Sequence, residues 1–382
     1  MAVYLDYNAS APINSEVLDE MVRVYKNSYG NADSRTHDFG EQARSVTENA
    51  RHQTADLLGV NADEVFFTGG STESNNIAIL GLREYAERTN KKHIITTAFE
   101  HHSVLNTVKY LEKNGFIADY IMPSRDGRIN AEELLSHVRK DTLLVSVMHV
   151  NNETGMIQPV KEIGDELAGE NVFFHVDATQ SCGKMVEEIK ALNYDMLSLS
   201  AHKFQGPQGI GALVLKRKKY RLPPVKNIMF GGQQEHGLRP GTTPVALAAG
   251  LGKASVLALD NYRENHRHCN EIKRVLIEEL NDSGAHFQFN GDQDHCSVNT
   301  INLQFKGVSS EALMISTKQY CGLSNGSACT SKDYSPSYVL KAMGLTDEEA
   351  YNSVRISWGP DTDLESVRAN FNQLLQIVKS FQ

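Results

Sequence analysis

The chain has little of what marks membrane, secreted and DNA-binding proteins. None of its apolar runs approaches the roughly 18 residues that a membrane-spanning helix needs. Its N-terminus lacks the basic region and the cleavage site of a secretory signal. The net charge of −9 argues against broad nonspecific binding to DNA, although it leaves a local basic patch open. We therefore expect a cytoplasmic protein that binds neither membranes nor nucleic acids directly.

Cysteine is also scarce, and its spacing gives no sign of a metal site. The chain has five cysteines in 382 residues, and no two of them form a C-x-x-C pair. This spacing disfavours a structural zinc or iron–sulfur site, so we expect no metal. An odd number of widely spread cysteines fits a reducing compartment better than a disulfide framework. The five positions are Cys182, Cys269, Cys296, Cys321 and Cys329.

What the chain does contain is an alternation of apolar runs and helical patterns. Helical segments such as 74–89 and 103–114 separate runs that are rich in apolar and β-branched residues. This alternation favours a mostly parallel sheet covered on both faces, in a large domain over residues 15–255. The last two strands are a short loop apart, which favours an antiparallel pairing between them. The predicted strands are Val65–Thr68, His93–Thr97, Asp119–Met122, Leu143–Met148, Val172–Asp177, Met196–Ser200 and Gly211–Lys216.

The pattern changes after about residue 255. Longer helical segments then alternate with only two strand-like runs, which is typical of a smaller α+β domain. We predict that residues 1–14 and 256–382 form this small domain, so that the chain as a whole is an α/β protein of two domains. The predicted elements of this part are helices over 261–280, 309–319, 336–343 and 363–381 and strands over 298–305 and 354–358.

An acid and a lysine follow two of the predicted buried strands. Asp177 ends the run 172–177, and Lys203 follows the run 196–200 in the segment Ser-Leu-Ser-Ala-His-Lys. This pair suits pyridoxal phosphate, because the lysine amine condenses with the aldehyde and the acid keeps the pyridine nitrogen protonated. Burial would also lower the pKa of the lysine, as proton transfer requires. The alternative is a lysine whose amine reaches solvent from a strand end.

Three polar turns follow other predicted strands, and each has a structural alternative. The turn 68–75 contains Ser71 and Thr72 and could bind phosphate at a helix start, or simply cap that helix. His101 could stack on a cofactor ring or could be a packed helix-capping residue. Asn152 lies in an Asn-rich turn, which could bind a carboxylate but is also common for structural reasons.

The C-terminal part adds a cysteine, an arginine and a glycine-rich loop. Cys329 lies among small residues, where a thiol can act as a nucleophile if its thiolate is favoured. Arg355 lies inside a predicted strand, where an arginine either binds an anion such as a substrate carboxylate or forms an internal ion pair. The loop 239–242 ends on Thr242 and could add anion contacts across a subunit boundary.

Taken together, these segments resemble the cysteine desulfurases of the NifS/IscS type, in the class V aminotransferase family. The resemblance runs from residues 4–9 to residues 354–357, and six segments match in order and spacing. It implies the aspartate-aminotransferase-like fold of fold type I pyridoxal phosphate enzymes, with a seven-stranded sheet in the large domain. The six segments are 70–74, 100–101, 148–153, 176–180, 200–203 and 326–331.

The resemblance also implies roles for the candidate residues. Lys203 would hold the cofactor covalently, and His101 would stack on its ring and take part in proton transfer. Cys329 would be the nucleophile, and Asn152 and Arg355 would bind the substrate carboxylate. The implied cofactor-binding residues are Ser71, Thr72, Asn152, Asp177, Gln180, Ser200, His202, Lys203 and, from a partner subunit, Thr242.

The implied reaction removes sulfur from L-cysteine. Lys203 would take the Cα proton, and the Cys329 thiolate would attack the substrate sulfur, leaving a persulfide on Cys329 and releasing L-alanine. The resemblance further implies a homodimer and a protein acceptor for the sulfur. The pathway of that acceptor stays open between DNA phosphorothioation, tRNA thiolation and iron–sulfur cluster assembly.

Two features favour a specialised acceptor. The chain ends at Gln382 after one final predicted helix, where housekeeping iron–sulfur desulfurases continue with a tail that docks their scaffold protein. Residues 360–362 also stand where many relatives carry a further basic residue. The rival interpretations are a selenocysteine lyase or an aminotransferase of the same fold, and a desulfurase-like subunit that serves in assembly without catalysis.

Overall fold

Apolar and β-branched runs form the strands of the computed structural model, which describes residues 2–218, 220–326 and 335–382. All of the predicted strands occur within two residues of their expected bounds, and three of them, 65–68, 93–97 and 196–200, match fully. The strands of the described residues are β1 Val3–Tyr4, β2 Val65–Thr68, β3 His93–Thr97, β4 Ile117–Ile121, β5 Thr142–Met148, β6 Phe173–Asp177, β7 Met196–Ser200, β8 Gly211–Leu215, β9 Phe287–Phe289, β10 Thr300–Phe305, β11 Cys321–Gly322 and β12 Ser353–Ser357.

The large sheet has seven strands in the order β2-β8-β7-β6-β5-β3-β4. The five strands from β4 to β7 pair in parallel, whereas β8 is antiparallel to both β7 and β2. The expected antiparallel pairing of the last two strands is therefore confirmed. The expected start of β4 at Asp119 is wrong, because the Ile117 amide already donates to the Lys92 carbonyl at 2.9 Å and Ile117 pairs with His93.

Helices cover the faces of this sheet and lead into the second part of the chain. From β2 to β7, at least one helix separates each strand from the next, which is the expected strand–helix alternation. The helices of the described residues are α1 Ser15–Asn27, α2 Asp38–Leu58, α3 Ser71–Leu80, α4 Arg83–Thr89, α5 His102–Glu112, α6 Ala131–Ser136, α7 Val160–Leu167, α8 Val186–Lys190, α9 Val245–Ser283, α10 Ser310–Thr317, α11 Tyr338–Ala342, α12 Asp347–Tyr351 and α13 Leu364–Phe381. Among the described residues, no helix has both the length and the apolar character needed to cross a bilayer.

One helix predicted from the sequence is two helices in the structure. The segment 74–89 is divided between α3 and α4 at Gly81. The Gly81 carbonyl accepts from the Lys226 amide at 2.9 Å, and a Cβ at Gly81 would lie 2.5 Å from Val225. The segment around residue 226 thus packs directly on the backbone at Gly81 and takes its carbonyl, an interaction that the local sequence does not encode.

The 39-residue helix α9 links two of the hydrophobic cores. Its first half contributes Ala248, Leu251 and Ala254 to the core under the large sheet. Its second half contributes Ile272 and Leu276 to a separate core built around β10, β12 and α13. The expected boundary at residues 255 and 256 lies inside this helix, and the division into two domains stays a prediction.

The N-terminal segment joins the two parts of the molecule. β1 pairs in parallel with β11, beside a small antiparallel sheet in the order β12-β10-β9. The Asn8 amide then donates to Ser357 Oγ at 3.0 Å, and the Ala11 amide donates to the His202 carbonyl at 2.9 Å. Residues 5–11 therefore lie between the end of β12 and the loop that follows β7.

A buried ion pair fixes the edge of the large sheet. Arg51 on α2 donates from Nη1 and Nη2 to the Glu235 carboxylate at 2.7 and 2.8 Å, and both side chains are less than a tenth exposed. Arg51 also donates to the Val65 carbonyl at 2.7 Å, and Glu235 accepts from the Phe67 amide at 2.8 Å. Helix α2, strand β2 and the loop at 234–237 are thus tied together by one charge pair.

We predict that Glu235→Gln lowers the free energy of unfolding by about 3–5 kcal/mol, because it leaves the buried Arg51 charge with only the half-exposed Glu48 as a counter-charge, 3.3 Å from Arg51 Nε. The control is Glu20→Gln, which removes a partly exposed pair with Arg23 and should cost at most about 1 kcal/mol. Urea unfolding at constant cofactor concentration measures both values. Equal losses in the two variants would contradict this account of the pair.

Candidate active site

A cavity lies at the carboxyl ends of the parallel strands, where ligands bind in open α/β sheets. Strands β5, β6 and β7 end there, and the loops that follow them line a volume of about 250 Å³. The structure brings most of the sequence-predicted side chains together around this volume. Those that line it are Ser71, Thr72, His101, Asn152, Asp177, Gln180, His202, Lys203 and Arg355.

Lys203 lies on a short 3₁₀ turn that directly follows β7. Its Nζ donates to the carbonyls of Asn8 and Ala9 at 2.6 and 2.8 Å. The N-terminal segment thereby holds the amine at the wall of the cavity with two neutral acceptors. Because both acceptors are uncharged, the amine breaks only hydrogen bonds with them when it reacts with an electrophilic carbonyl in the cavity.

Asp177 ends β6 and is almost fully buried. Its Oδ2 accepts from Asn75 Nδ2 at 2.8 Å, and its Oδ1 accepts from the amide and the hydroxyl of Thr179. Donors on both oxygens stabilise the charged carboxylate. The cavity therefore contains a fixed acidic acceptor on the strand next to the one that leads to Lys203.

His101 caps the start of α5 and borders the cavity. Its Nδ1 accepts from the Ser103 amide at 3.1 Å and lies 2.8 Å from Ser103 Oγ. Burial lowers the pKa of His101, and the charge of Lys203 adds to this effect while Asp177 opposes it. The imidazole is therefore neutral near pH 7.

The neighbouring Glu100 points into the core instead of the cavity. Its Oε1 accepts from the Met148 amide and from Thr97 Oγ1, each at 2.8 Å. Burial raises the pKa of Glu100 to about 8. Glu100 therefore joins the end of β3 to the end of β5 next to His101. The sequence motif at 100–101 does not reveal this structural role.

The start of α3 and the loop after β7 form an anion cradle, which consists of Ser71, Thr72, Ser200 and His202. The first amides of α3 have no partner within the helix, so they are available to an anion. Gly70 has a φ of 140°, and a Cβ there would lie 3.6 Å from Ser200 Oγ. Burial lowers the pKa of His202 to about 4, with the nearby Lys203 as the second cause. The cradle therefore offers hydroxyl groups, free amides and a neutral imidazole, which are groups that can bind an anion such as a phosphate.

Arg355 lies at the centre of β12 with its guanidinium at the cavity. Nη2 donates to Asp6 Oδ1 at 2.6 Å, and Nη1 donates to the Asn152 carbonyl at 2.9 Å. The internal ion pair, one of the two alternatives from the sequence, is therefore present, and Arg355 also lines the cavity. Binding of an anion by Arg355 stays a prediction. Within the described residues, Arg355 Nε and Asn152 Oδ1 are buried without a hydrogen-bond partner, as expected of groups that await a polar ligand.

The comparisons with known proteins agree with this geometry. The family model Aminotransferase class-V matches residues 3–369. The cysteine desulfurase IscS of Proteus mirabilis (strain HI4320) is 40% identical over 377 residues, which cover 98% of this chain and 92% of that protein. The chain belongs to the class-V aminotransferase family. Its similarity to IscS over nearly the whole length places it among the desulfurases of the NifS/IscS type, as its motifs predicted.

Two solved structures extend the likeness to the fold. A NifS-like protein superposes with a TM-score of 0.90 at 34% identity, and all of both chains are covered. A structure described as SspA in complex with cysteine has a TM-score of 0.83 at 35% identity, with 95% of this chain and all of that chain covered. The expected α/β fold, like that of other enzymes of this family, is thereby confirmed.

Family membership implies pyridoxal phosphate, and the cavity fits this cofactor. The amine of Lys203 suits its aldehyde, and the carboxylate of Asp177 suits a protonated pyridine nitrogen. The anion cradle suits its phosphate, and Gln180 lines the cavity with its Nε2 donating to the Asn8 carbonyl at 2.9 Å. Groups that suit the aldehyde, the pyridine nitrogen and the phosphate thus lie at or beside the cavity.

Sequence reasoning missed several residues that hold the site in place. Asp6 pairs with Arg355, Asn8 accepts from Lys203 and Gln180, and Lys184 donates to Gln180 Oε1 at 3.3 Å. Burial lowers the pKa of Lys184 to about 8. The one sequence signal for Asp6 is an acid next to an apolar run, and its partner lies 349 residues away.

Three predicted residues stand apart from the cavity. Ser200 does not line the main volume but lies in the adjoining cradle with Ser71 and Thr72. Thr242 is exposed and does not line the cavity of its own chain. Cys329 lies outside the described residues, which stop at 326 and resume at 335.

Proposed function

We propose that the chain is a pyridoxal phosphate-dependent cysteine desulfurase that moves sulfur from L-cysteine to Cys329 and releases L-alanine. The observation that carries this proposal is the meeting of Lys203, Asp177 and Arg355 at one cavity. The three groups supply an amine, an acid and a carboxylate-binding cation around one small volume. The similarity to desulfurases over nearly the full chain supports the same reaction.

The side chains around the cavity have separate tasks in holding the cofactor. Asp177 would pair with the pyridine nitrogen, Gln180 would reach the ring hydroxyl, and Lys203 would hold the aldehyde carbon. The phosphate would lie in the anion cradle at the start of α3. When bound, pyridoxal phosphate supplies an electron sink that lowers the cost of removing a proton from the substrate Cα.

Arg355 and Asn152 would bind the carboxylate of the substrate. Arg355 keeps its Nε–H unpaired although Asp6 neutralises part of its charge, so a carboxylate gains a hydrogen bond without displacing Asp6. L-cysteine is the proposed substrate, and the similar protein SspA is described in complex with cysteine. Lys203 would then accept the Cα proton, because its Nζ lies at the cavity wall.

Cys329 is the proposed nucleophile. The other four cysteines are buried, and burial raises their thiol pKa values to about 11 or 12, so they are protonated near pH 7. The Cys329 thiolate would attack the substrate sulfur, forming an S–S bond while the substrate C–S bond breaks. Cysteine and one enzyme thiol thus give alanine and one enzyme persulfide, with no external oxidant.

We predict that Cys329→Ala abolishes alanine release from L-cysteine without loss of bound cofactor. The wild type, treated with L-cysteine in the absence of reductant, should gain one sulfur atom in its intact mass, and the variant should gain none. The matched control is Cys296→Ala, which removes a buried thiol and should behave as the wild type. Alanine release that survives in Cys329→Ala would indicate another reaction on the same cofactor, such as transamination or lyase chemistry.

A homodimer is the proposed assembly. Leu18, Val22 and Tyr25 lie on one face of α1 and are 45%, 39% and 61% exposed, an apolar stripe that a second copy would cover. Tyr29 continues the stripe and stacks on the exposed ring of Phe39, with 5.6 Å between the ring centroids. The exposed position of Thr242 is compatible with a contribution to the cradle of a partner subunit.

We predict that Val22→Lys combined with Tyr25→Lys converts the protein to monomers and weakens cofactor binding. Two charges on the stripe oppose its burial, and the cradle then lacks Thr242 of the partner subunit. Light scattering after size exclusion measures the mass, and spectroscopic titration measures cofactor affinity. The control is Phe381→Lys, a similarly exposed aromatic residue on α13. A dimer that persists in the double variant would refute α1 as the interface.

We propose that the sulfur passes from Cys329 to a protein thiol in a reducing, cytoplasmic compartment. The four buried cysteines are all unpaired thiols, which agrees with such a compartment. The acceptor pathways in question are DNA phosphorothioation, tRNA thiolation and iron–sulfur assembly. Transfer of the persulfide sulfur to candidate acceptors, followed by mass spectrometry, distinguishes the three.

A further inference from the structure

A continuous chain of buried hydrogen bonds connects Asp177 to His101. Asn75 on α3 donates from Nδ2 to Asp177 Oδ2 at 2.8 Å and to Ser103 Oγ, also at 2.8 Å. Ser103 Oγ lies 2.8 Å from Nδ1 of His101. Asn75 has no exposed surface and Ser103 is 7% exposed, so solvent does not compete for the two bonds of Asn75, while the contact of Ser103 with His101 is partly buried.

The hydrogens in this chain can run in only one direction. As a carboxylate, Asp177 can only accept, so the amide of Asn75 must present its NH₂ group and not its oxygen. The second amide hydrogen then goes to Ser103 Oγ. A hydroxyl that accepts there has its own hydrogen left for the nitrogen of His101.

The backbone points to the same conclusion for the imidazole. The Ser103 amide can only donate, and it lies 3.1 Å from Nδ1 of His101 with the geometry of a hydrogen bond. Two donors therefore converge on Nδ1. We propose that Asn75 and Ser103 are positioning residues that keep Nδ1 of His101 free of hydrogen, so that the ring carries its N–H at Nε2.

This tautomer limits what His101 can do. An imidazole with hydrogen on Nε2 donates from that nitrogen and cannot accept a proton there. The consequence for catalysis rests on the proposed function: the Cα proton goes to Lys203, and His101 acts as a hydrogen-bond donor. The resemblance to desulfurases implies proton transfer by His101, and the hydrogen-bonded chain narrows that role.

Several charged or titratable groups face the ring. Asp177 favours its protonation, whereas Lys203 and His102 oppose it, and Glu100 precedes it in the chain. The opposing charges of Asp177 and Lys203 act on His101 from two different strand ends. The hydrogen bonds to Nδ1 are therefore a separate influence, which substitution of Ser103 changes while these charges remain.

The tautomer and the pKa of His101 can be read by NMR of the cofactor-loaded protein labelled with [¹⁵N]histidine. The His101 signals are assigned by their loss in His101→Gln. We expect a protonated Nε2 and an unprotonated Nδ1 in the wild type near pH 7. Ser103→Ala removes one donor to Nδ1 and should raise the pKa of His101 by about 1, because one hydrogen bond to the neutral form is lost.

Two further variants and one control complete the test. Ser103→Thr keeps the hydroxyl and should leave the pKa of His101 near the wild-type value. Asn75→Asp should raise it for two reasons: the new carboxylate accepts the Ser103 hydrogen that otherwise goes to His101, and it adds negative charge near the ring. The control Ser136→Ala, at an exposed serine on α6, should leave the tautomer and the pKa of His101 unchanged.

A wild-type ring with hydrogen on Nδ1, or an unchanged pKa of His101 in both Ser103→Ala and Asn75→Asp, would overturn the proposal. These readings need no turnover, so their failure is distinct from failure of the desulfurase reaction.

Discussion

The hydrogen bonds of residues 6–9 with the rest of the site, among them those that the carbonyls of Asn8 and Ala9 accept from Lys203 while its amine is unmodified, are the interactions on which the site depends. They attach the loop after β7 to the N-terminal segment. The same segment supplies Asp6 to Arg355 and the Asn8 carbonyl to Gln180. Because this segment also pairs with β12, a single stretch of chain sets the distance between the lysine and the arginine.

Electrostatics then divides the cavity into an acidic, a neutral and a basic region. Hydrogen-bond donors occupy both oxygens of Asp177 and hold its carboxyl group in place. His101 and His202 stay neutral because burial lowers the pKa of each. Arg355 is charged but partly balanced by Asp6. A zwitterionic amino acid with its carboxylate at Arg355 and its amine towards Lys203 therefore suits the cavity better than a purely anionic ligand.

The sequence predicted the parts of this site that depend on local patterns. The pattern of apolar residues located the ends of β6 and β7. Because parallel strands end at the same edge of a sheet, the sequence could predict that Asp177 and Lys203 lie near one another there. Long-range contacts were not found. The pair of Asp6 with Arg355 joins opposite ends of the chain, and the break at Gly81 depends on a segment packed against it. The contact of Asn75 with Asp177 spans 102 residues and has no local signal.

The most direct test of the account is to identify the lysine that binds the cofactor. The protein, loaded with pyridoxal phosphate, is reduced with borohydride, digested, and its modified peptide is located by mass spectrometry. Lys184, which donates to Gln180, is the alternative reactive lysine near the cavity. Burial lowers its pKa to about 8, so its amine is also partly unprotonated near neutral pH. The account predicts modification of Lys203 alone. Modification of Lys184 instead, or of no lysine, would contradict it.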